Sequence, residues 1–198
     1  MGTEIEWKFR ADKDSLAAIE AAYGPLTPIT MESDYYDTMD LKLAIRRWTF
    51  RRRRENGVTV YAFKSPAEGP GRNEWEIQAD TMADGIWGLC ANGAPRELLE
   101  IAISGLFPFC GARFTRLAKR VSLGSTEVEL ALDQGVLIGL KGAQKIELPF
   151  AELEVELKSG SPAEAEVFAK ALAAKYGLVP EPKSKMVRAR ALTFAELK

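Results

Sequence analysis

There is no histidine in the 198 residues of this chain. That absence removes the Ser-His-Asp and Cys-His nucleophilic arrangements, histidine general bases and histidine metal ligands. Cysteine is scarce too: Cys90 and Cys110 are too few for a disulfide framework or a zinc site. Long hydrophobic runs are missing, with nothing near the ~20 continuous apolar residues of a membrane span. The N-terminus lacks a charged start followed by an apolar run, so no signal peptide is expected. Neither sign of charge dominates, and a net charge of -1 gives no global basic field to gather nucleic acid. The expected setting is the reducing cytoplasm, without a nucleic-acid or membrane partner.

What is present is ordinary for a globular protein, 46% hydrophobic and 28% charged, and long enough for one good core. Any metal must be held by carboxylate oxygens. That donor set suits hard cations such as Mg²⁺, Mn²⁺ or Ca²⁺.

Residues 3–10 alternate strictly, with Glu4, Glu6, Lys8 and Arg10 against Ile5, Trp7 and Phe9. Period two predicts a strand with one charged and one apolar face. Residues 12–23 read as an amphipathic helix, capped by Asp12 or Asp14 and ended by Gly24-Pro25. Residues 31–37 predict a strand and 41–46 a helical turn. Glu55-Asn56-Gly57 marks a hairpin between strands 49–54 and 58–64. Residues 72–79 form the next strand, and 80–104 two helical pieces broken near 92–95. Strands follow at 112–121 and 127–132, then a short strand and a Gly-rich turn through 133–145. A strand at 152–158, a helix at 162–176 ended by Gly177, and a tail without clear period complete the chain. About eight strands with helices between them predict one α+β domain over residues 1–198, built on an antiparallel sheet.

The charged faces of these strands carry the chemistry. A charged face is ordinarily the solvated side of a half-buried sheet. Such faces mix in Thr and Ser, whereas here Glu, Arg and Lys fill strand after strand. They include Arg51, Arg53 and Lys64; Arg72, Glu74 and Glu76; Arg116; Glu129 and Asp133; and Glu152, Glu154, Glu156 and Lys158. Like charges along one face repel, and a divalent cation is the usual relief. The pattern predicts a barrel with charged faces inward and apolar faces covered by helices. Such an interior must hold water, metal and a polyanion, because an unpaired buried charge costs several kcal/mol. Carboxylates beside many Arg and Lys suit a triphosphate with Mg²⁺ or Mn²⁺.

The residues also resemble a known family. Glu4-Ile5-Glu6-Trp7-Lys8 is similar to the Glu-x-Glu-x-Lys signature of the CYTH or triphosphate tunnel metalloenzyme superfamily. Tyr35-Tyr36-Asp37-Thr38, Phe50-Arg51-Arg52-Arg53 with Lys64, Arg72-Asn73-Glu74 and Phe114-Thr115-Arg116 resemble its later segments, in order. Glu129 to Gly135, Glu152 to Gly160 and Ser184-Lys185 are close to its bacterial inorganic triphosphatase branch. The resemblance implies an eight-stranded antiparallel tunnel with helices outside, divalent-metal dependence and action on triphosphates.

Glu4, Glu6, Glu154 and Glu156 are the expected metal ligands, with Glu152 nearer the strand end. Lys8, Arg51, Arg53, Lys64, Arg72, Arg116 and Lys185 are expected to bind phosphate oxygens. Glu74 and Asp133 are expected to hold those cations in place, or else to ligate a second metal. A second metal, or Lys8 with Tyr35, is expected to activate water, Lys8 through a pKa lowered by surrounding cations. The expected reaction converts tripolyphosphate to diphosphate and phosphate. Hydrolysis of an organic triphosphate such as thiamine or nucleoside triphosphate, class IV adenylate cyclase chemistry and passive polyphosphate binding are the alternatives. Trp48 has the opposite parity to Arg51 and Arg53, so no aromatic platform is expected there, which favours the inorganic substrate. The chain is expected to act as a monomer or homodimer.

Overall fold

The alternating N-terminus folds into two strand segments, β1 (Gly2–Glu4) and β2 (Glu6–Arg10), parted at Ile5. The computed structural model describes residues 2–69, 71–142 and 144–194. After β2 come α1 (Lys13–Tyr23), β3 (Thr27–Asp37) and α2 (Lys42–Ile45). The hairpin β4 (Thr49–Glu55) and β5 (Val58–Pro66) leads to β6 (Arg72–Gln78). Two helices, α3 (Met82–Ala91) and α4 (Glu97–Ile103), precede three long strands, β7 (Phe107–Leu123), β8 (Thr126–Lys141) and β9 (Gln144–Ser159). The chain continues through α5 (Pro162–Tyr176), β10 (Val179–Pro180) and α6 (Lys185–Phe194).

Local chemistry explains the boundaries. Asp12 accepts a hydrogen bond from the Ser15 amide at 2.7 Å and caps α1. Asn56 and Gly57 both have positive φ, 48° and 91°, as a tight hairpin turn requires. Ser161 caps α5, and Gly177 ends it in the left-handed conformation.

The described strands form one 10-stranded antiparallel sheet in the order β1-β6-β5-β4-β3-β7-β8-β9-β2-β10. The hydrogen-bonded ladder is not closed. However, β1 pairs with β6 while β2, one residue later, pairs with β9. The stretch from Gly2 to Arg10 thus reaches both sides, and the sheet curls around a central cavity.

The outward apolar faces are covered as expected. α1 and α5 lie over Phe9, Leu130, Leu153 and Val155. α3 and α4 lie over Phe50, Tyr61, Phe63 and Trp75. Fully burying such side chains contributes ~1.5–3 kcal/mol each. A third cluster joins Ala189 of α6 to Tyr35, Phe114, Leu137 and Phe150.

Three expectations are corrected. Among the described residues the strand count is 10 rather than about eight, because the first strand splits at Ile5 and β10 is added. Residues 133–141 continue β8 instead of forming a short strand and a turn. Their glycines permit close packing: a Cβ on Gly135 would lie 2.1 Å from the Arg113 carbonyl oxygen, and one on Gly139 2.6 Å from Leu192 Cβ. The tail holds α6, whose first turn buries a charge, Lys185, where periodicity looks for an apolar residue.

Candidate functional site

The curled sheet encloses a cavity of about 610 Å³ lined by residues of β1 through β9 and by residues 182–187. Thirteen expected site residues line it: Glu4, Glu6, Lys8, Tyr35, Arg51, Arg53, Lys64, Arg72, Glu74, Arg116, Glu154, Glu156 and Lys185. Glu152 and Asp133 stand behind the wall with no exposed surface.

One wall is acidic. Glu6 of β2 lies directly opposite Glu156 of β9, which lies opposite Glu129 of β8. Glu4 follows the same inward parity on β1. Like charges in direct cross-strand register are destabilising. Burial, then the Glu154 carboxylate, pushes the Glu6 carboxyl above its ordinary value. Burial also raises Glu156, and Glu4 and Glu129 add to the rise against the pull of Lys158. Lys8 and Lys158 each neutralise part of this charge, at 2.6 Å from Glu6 and 2.6 Å from Glu156. A row of carboxylates in direct register, with its repulsion relieved only in part by Lys8 and Lys158, fits a hard divalent cation.

The facing wall is basic. On β4, alternation sends Arg51 and Arg53 inward, whereas Arg52 turns out to bind Asp34 at 2.7 Å. Arg51 and Arg53 share Glu76, at 3.2 and 3.1 Å. Each keeps a buried Nε without a hydrogen-bond partner. Burial, and then the neighbouring Arg51, lowers the Arg53 guanidinium from its ordinary value. An anion between these arginines would relieve both effects. Lys64 pairs with Glu4 and with Glu74 at 3.1 Å, and Arg72 donates to Thr49 and to the Arg47 and Lys64 carbonyls.

Lys8 differs from expectation. Its dominant charged neighbours are carboxylates, with Lys185 a lesser one. Burial and Lys185 would lower its pKa, but Glu6 and Glu154 together raise it above its ordinary value. The lowered pKa expected for a general base is therefore corrected. Lys8 and Tyr35 line the same cavity, yet the hydrogen bond Lys8 makes is to Glu6.

Lys185 enters from α6. Its Nζ stands 2.7 Å from Asp133 Oδ2 and 2.8 Å from Glu154 Oε1, and it pairs with Glu152. Arg116 grips Asp133 at 2.8 and 2.7 Å and also meets Glu154. Asp133 is thus paired with both Arg116 and Lys185. Glu154 is pulled well below its ordinary value, because Lys185 and Arg116 outweigh its burial.

Glu129, Glu76, Glu55 and Lys158 also line the cavity and were absent from the expected set. Strand parity was the available signal, since Glu76, Glu55 and Lys158 each lie two positions from an expected residue and Glu129 lies four from Asp133. Trp48 packs edge-on against Phe63 at 5.1 Å in the outer core, so it faces away from the cavity.

Comparison with known proteins agrees with this architecture. The family model for the CYTH domain matches residues 2–189. A candidate adenylyl cyclase from Hippeastrum, HpAC1, described as having a dominant triphosphatase activity, superposes with a TM-score of 0.67 at 19% identity, covering 96% of each chain. A candidate adenylate cyclase from Bacillus halodurans gives 0.64 at 16% identity, covering 94% of this chain and 96% of that one. The PH1819 protein from Pyrococcus horikoshii gives 0.60 at 20% identity, covering 92% and 96%. At these identities the structures share the fold.

Proposed function

The chain belongs to the CYTH domain family, and from that premise we propose that it hydrolyses the terminal anhydride of a triphosphate, with inorganic tripolyphosphate as substrate and diphosphate and phosphate as products. The observation that carries this reading is the opposition of two walls in one cavity: the Glu6–Glu156–Glu129 row faces Arg51 and Arg53, whose buried Nε atoms lack partners.

Glu4, Glu6 and Glu156, joined by Glu129, would hold Mg²⁺ or Mn²⁺, with Glu154 at the margin of the set. A divalent ion there would neutralise phosphate charge and lower the pKa of a bound water. Arg51, Arg53, Lys64, Lys8 and Arg116 fix the phosphate chain and offset charge that builds on its oxygens during displacement. Arg72 is oriented by backbone carbonyls toward the same track. Glu74 and Glu76 keep the basic side chains extended before substrate arrives. Lys8, held protonated by Glu6, donates hydrogen bonds; the role given to it here is charge stabilisation, not proton abstraction. Tyr35, next to Arg51, offers a hydroxyl to the same space.

One feature favours an organic triphosphate as a second reading. Ile29, Met31 and Phe114 give the cavity an apolar flank that an inorganic chain does not need. Incubation with tripolyphosphate, ATP and thiamine triphosphate, each with Mg²⁺ and with Mn²⁺, separates the two by phosphate release. Release from none of them defeats the hydrolase reading.

A further inference from the structure

Among the described residues, the carboxylates whose oxygens converge like metal ligands, within 4.8 Å of one another, are not the Glu6 row. They are Asp133, Glu152 and Glu154, all buried. A cation already stands among them. The Lys185 ammonium meets all three. Arg116 takes the other oxygens of Asp133 and Glu154, and Arg188 takes the second oxygen of Glu152. Three carboxylates thus face three cations, and every carboxylate oxygen has a cationic partner. No charge is left to recruit a divalent ion, whereas the Glu6–Glu156–Glu129 row lines the cavity with three carboxylates against Lys8 and Lys158, and Arg120 reaches Glu129 at 3.6 Å from outside the lining.

We propose that Lys185 is the tunnel's own cation: an ammonium delivered by α6 that fills the position a second divalent ion would take and confines exchangeable metal to the Glu4, Glu6, Glu156 and Glu129 wall. This rests on the metal-dependent reading of the cavity. Lys185 is then a positioning residue. It fixes Glu154 so that its carboxylate does not compete for the metal. It also pins the first turn of α6 to the lining of the cavity.

The test counts Mn²⁺ ions bound to the metal-stripped full chain without substrate, reading free Mn²⁺ by paramagnetic resonance. The proposal expects Lys185→Met to bind one more ion per chain than wild type. It expects Asp133→Asn to leave the wild-type count unchanged and to remove the additional ion from Lys185→Met. Equal counts for Lys185→Met and wild type, or loss of an ion from wild type on Asp133→Asn, overturn it. If Lys185→Met is unfolded without metal, recovery of its circular dichroism on adding Mn²⁺ supports the proposal, and failure to recover overturns it. A wild-type chain that binds no Mn²⁺ defeats the metal-dependent reading instead; the Lys185 proposal then stands or falls on whether Lys185→Met rises from none to one.

Discussion

Glu6 of β2 and Glu156 of β9 face each other directly across the sheet, carboxylate opposite carboxylate, on the inner wall of the cavity. Their repulsion has a measurable sign. In metal-free protein, Glu156→Gln removes a like-charge pair of ~0.2–1 kcal/mol and is expected to raise Tm by about 1–3 °C. With saturating Mn²⁺ the order reverses, because wild type gains stabilisation by binding the ion and the variant gains less. Calorimetry with and without Mn²⁺ checks both signs.

Adjacent arginines of β4 should behave differently. Arg53 points into the cavity and Arg52 away from it, toward Asp34. Losing a charge-assisted bond of ~1.5–3 kcal/mol predicts a roughly 10- to 150-fold fall in kcat/KM for Arg53→Ala. Arg52→Ala removes a half-exposed pair worth less than ~1 kcal/mol and should leave kcat/KM within about twofold. Steady-state kinetics on tripolyphosphate distinguishes the two faces.

Glu152 has no exposed surface and holds both Lys185 and Arg188. Glu152→Gln leaves those cations short of a counter-charge and should cost about 3–5 kcal/mol. Urea unfolding, with Glu166→Gln on exposed α5 as the control, reads this directly.

The N-cap of α1 gives a pH signature. Hydrogen bonding from Ser15 holds the Asp12 carboxyl below its ordinary value. A carboxyl with a depressed folded value contributes stability above its unfolded value, ~3.9, and loses it as pH falls through the folded one. Asp12→Ala should therefore lower the urea midpoint at pH 7, and the gap to wild type should close as pH falls toward 2.

Much of this site is visible in the one-dimensional chain. The inward sides of β2, β4, β6 and β9 follow from strict alternation, because one residue of slip would reverse every charge. The outward turn of Arg52 and of Trp48 follows from the same parity. The run from Asp133 to Lys141 was hidden by glycines that serve close packing inside a strand. α6 was hidden because Lys185 and Arg188 point at Glu152, so charges occupy its inner face. The state of Lys8 was hidden for another reason: its Glu154 neighbour comes from a strand nearly 150 residues away in the chain, and only register reveals it.

The central claim is that the two opposed walls form one metal-dependent phosphate site. Its most direct test is phosphate release from tripolyphosphate by wild type and Glu156→Gln, with Mn²⁺ or with chelator. The account predicts release by wild type that disappears with chelator and falls roughly 100-fold or more in Glu156→Gln. Release that survives both the chelator and the substitution would contradict it.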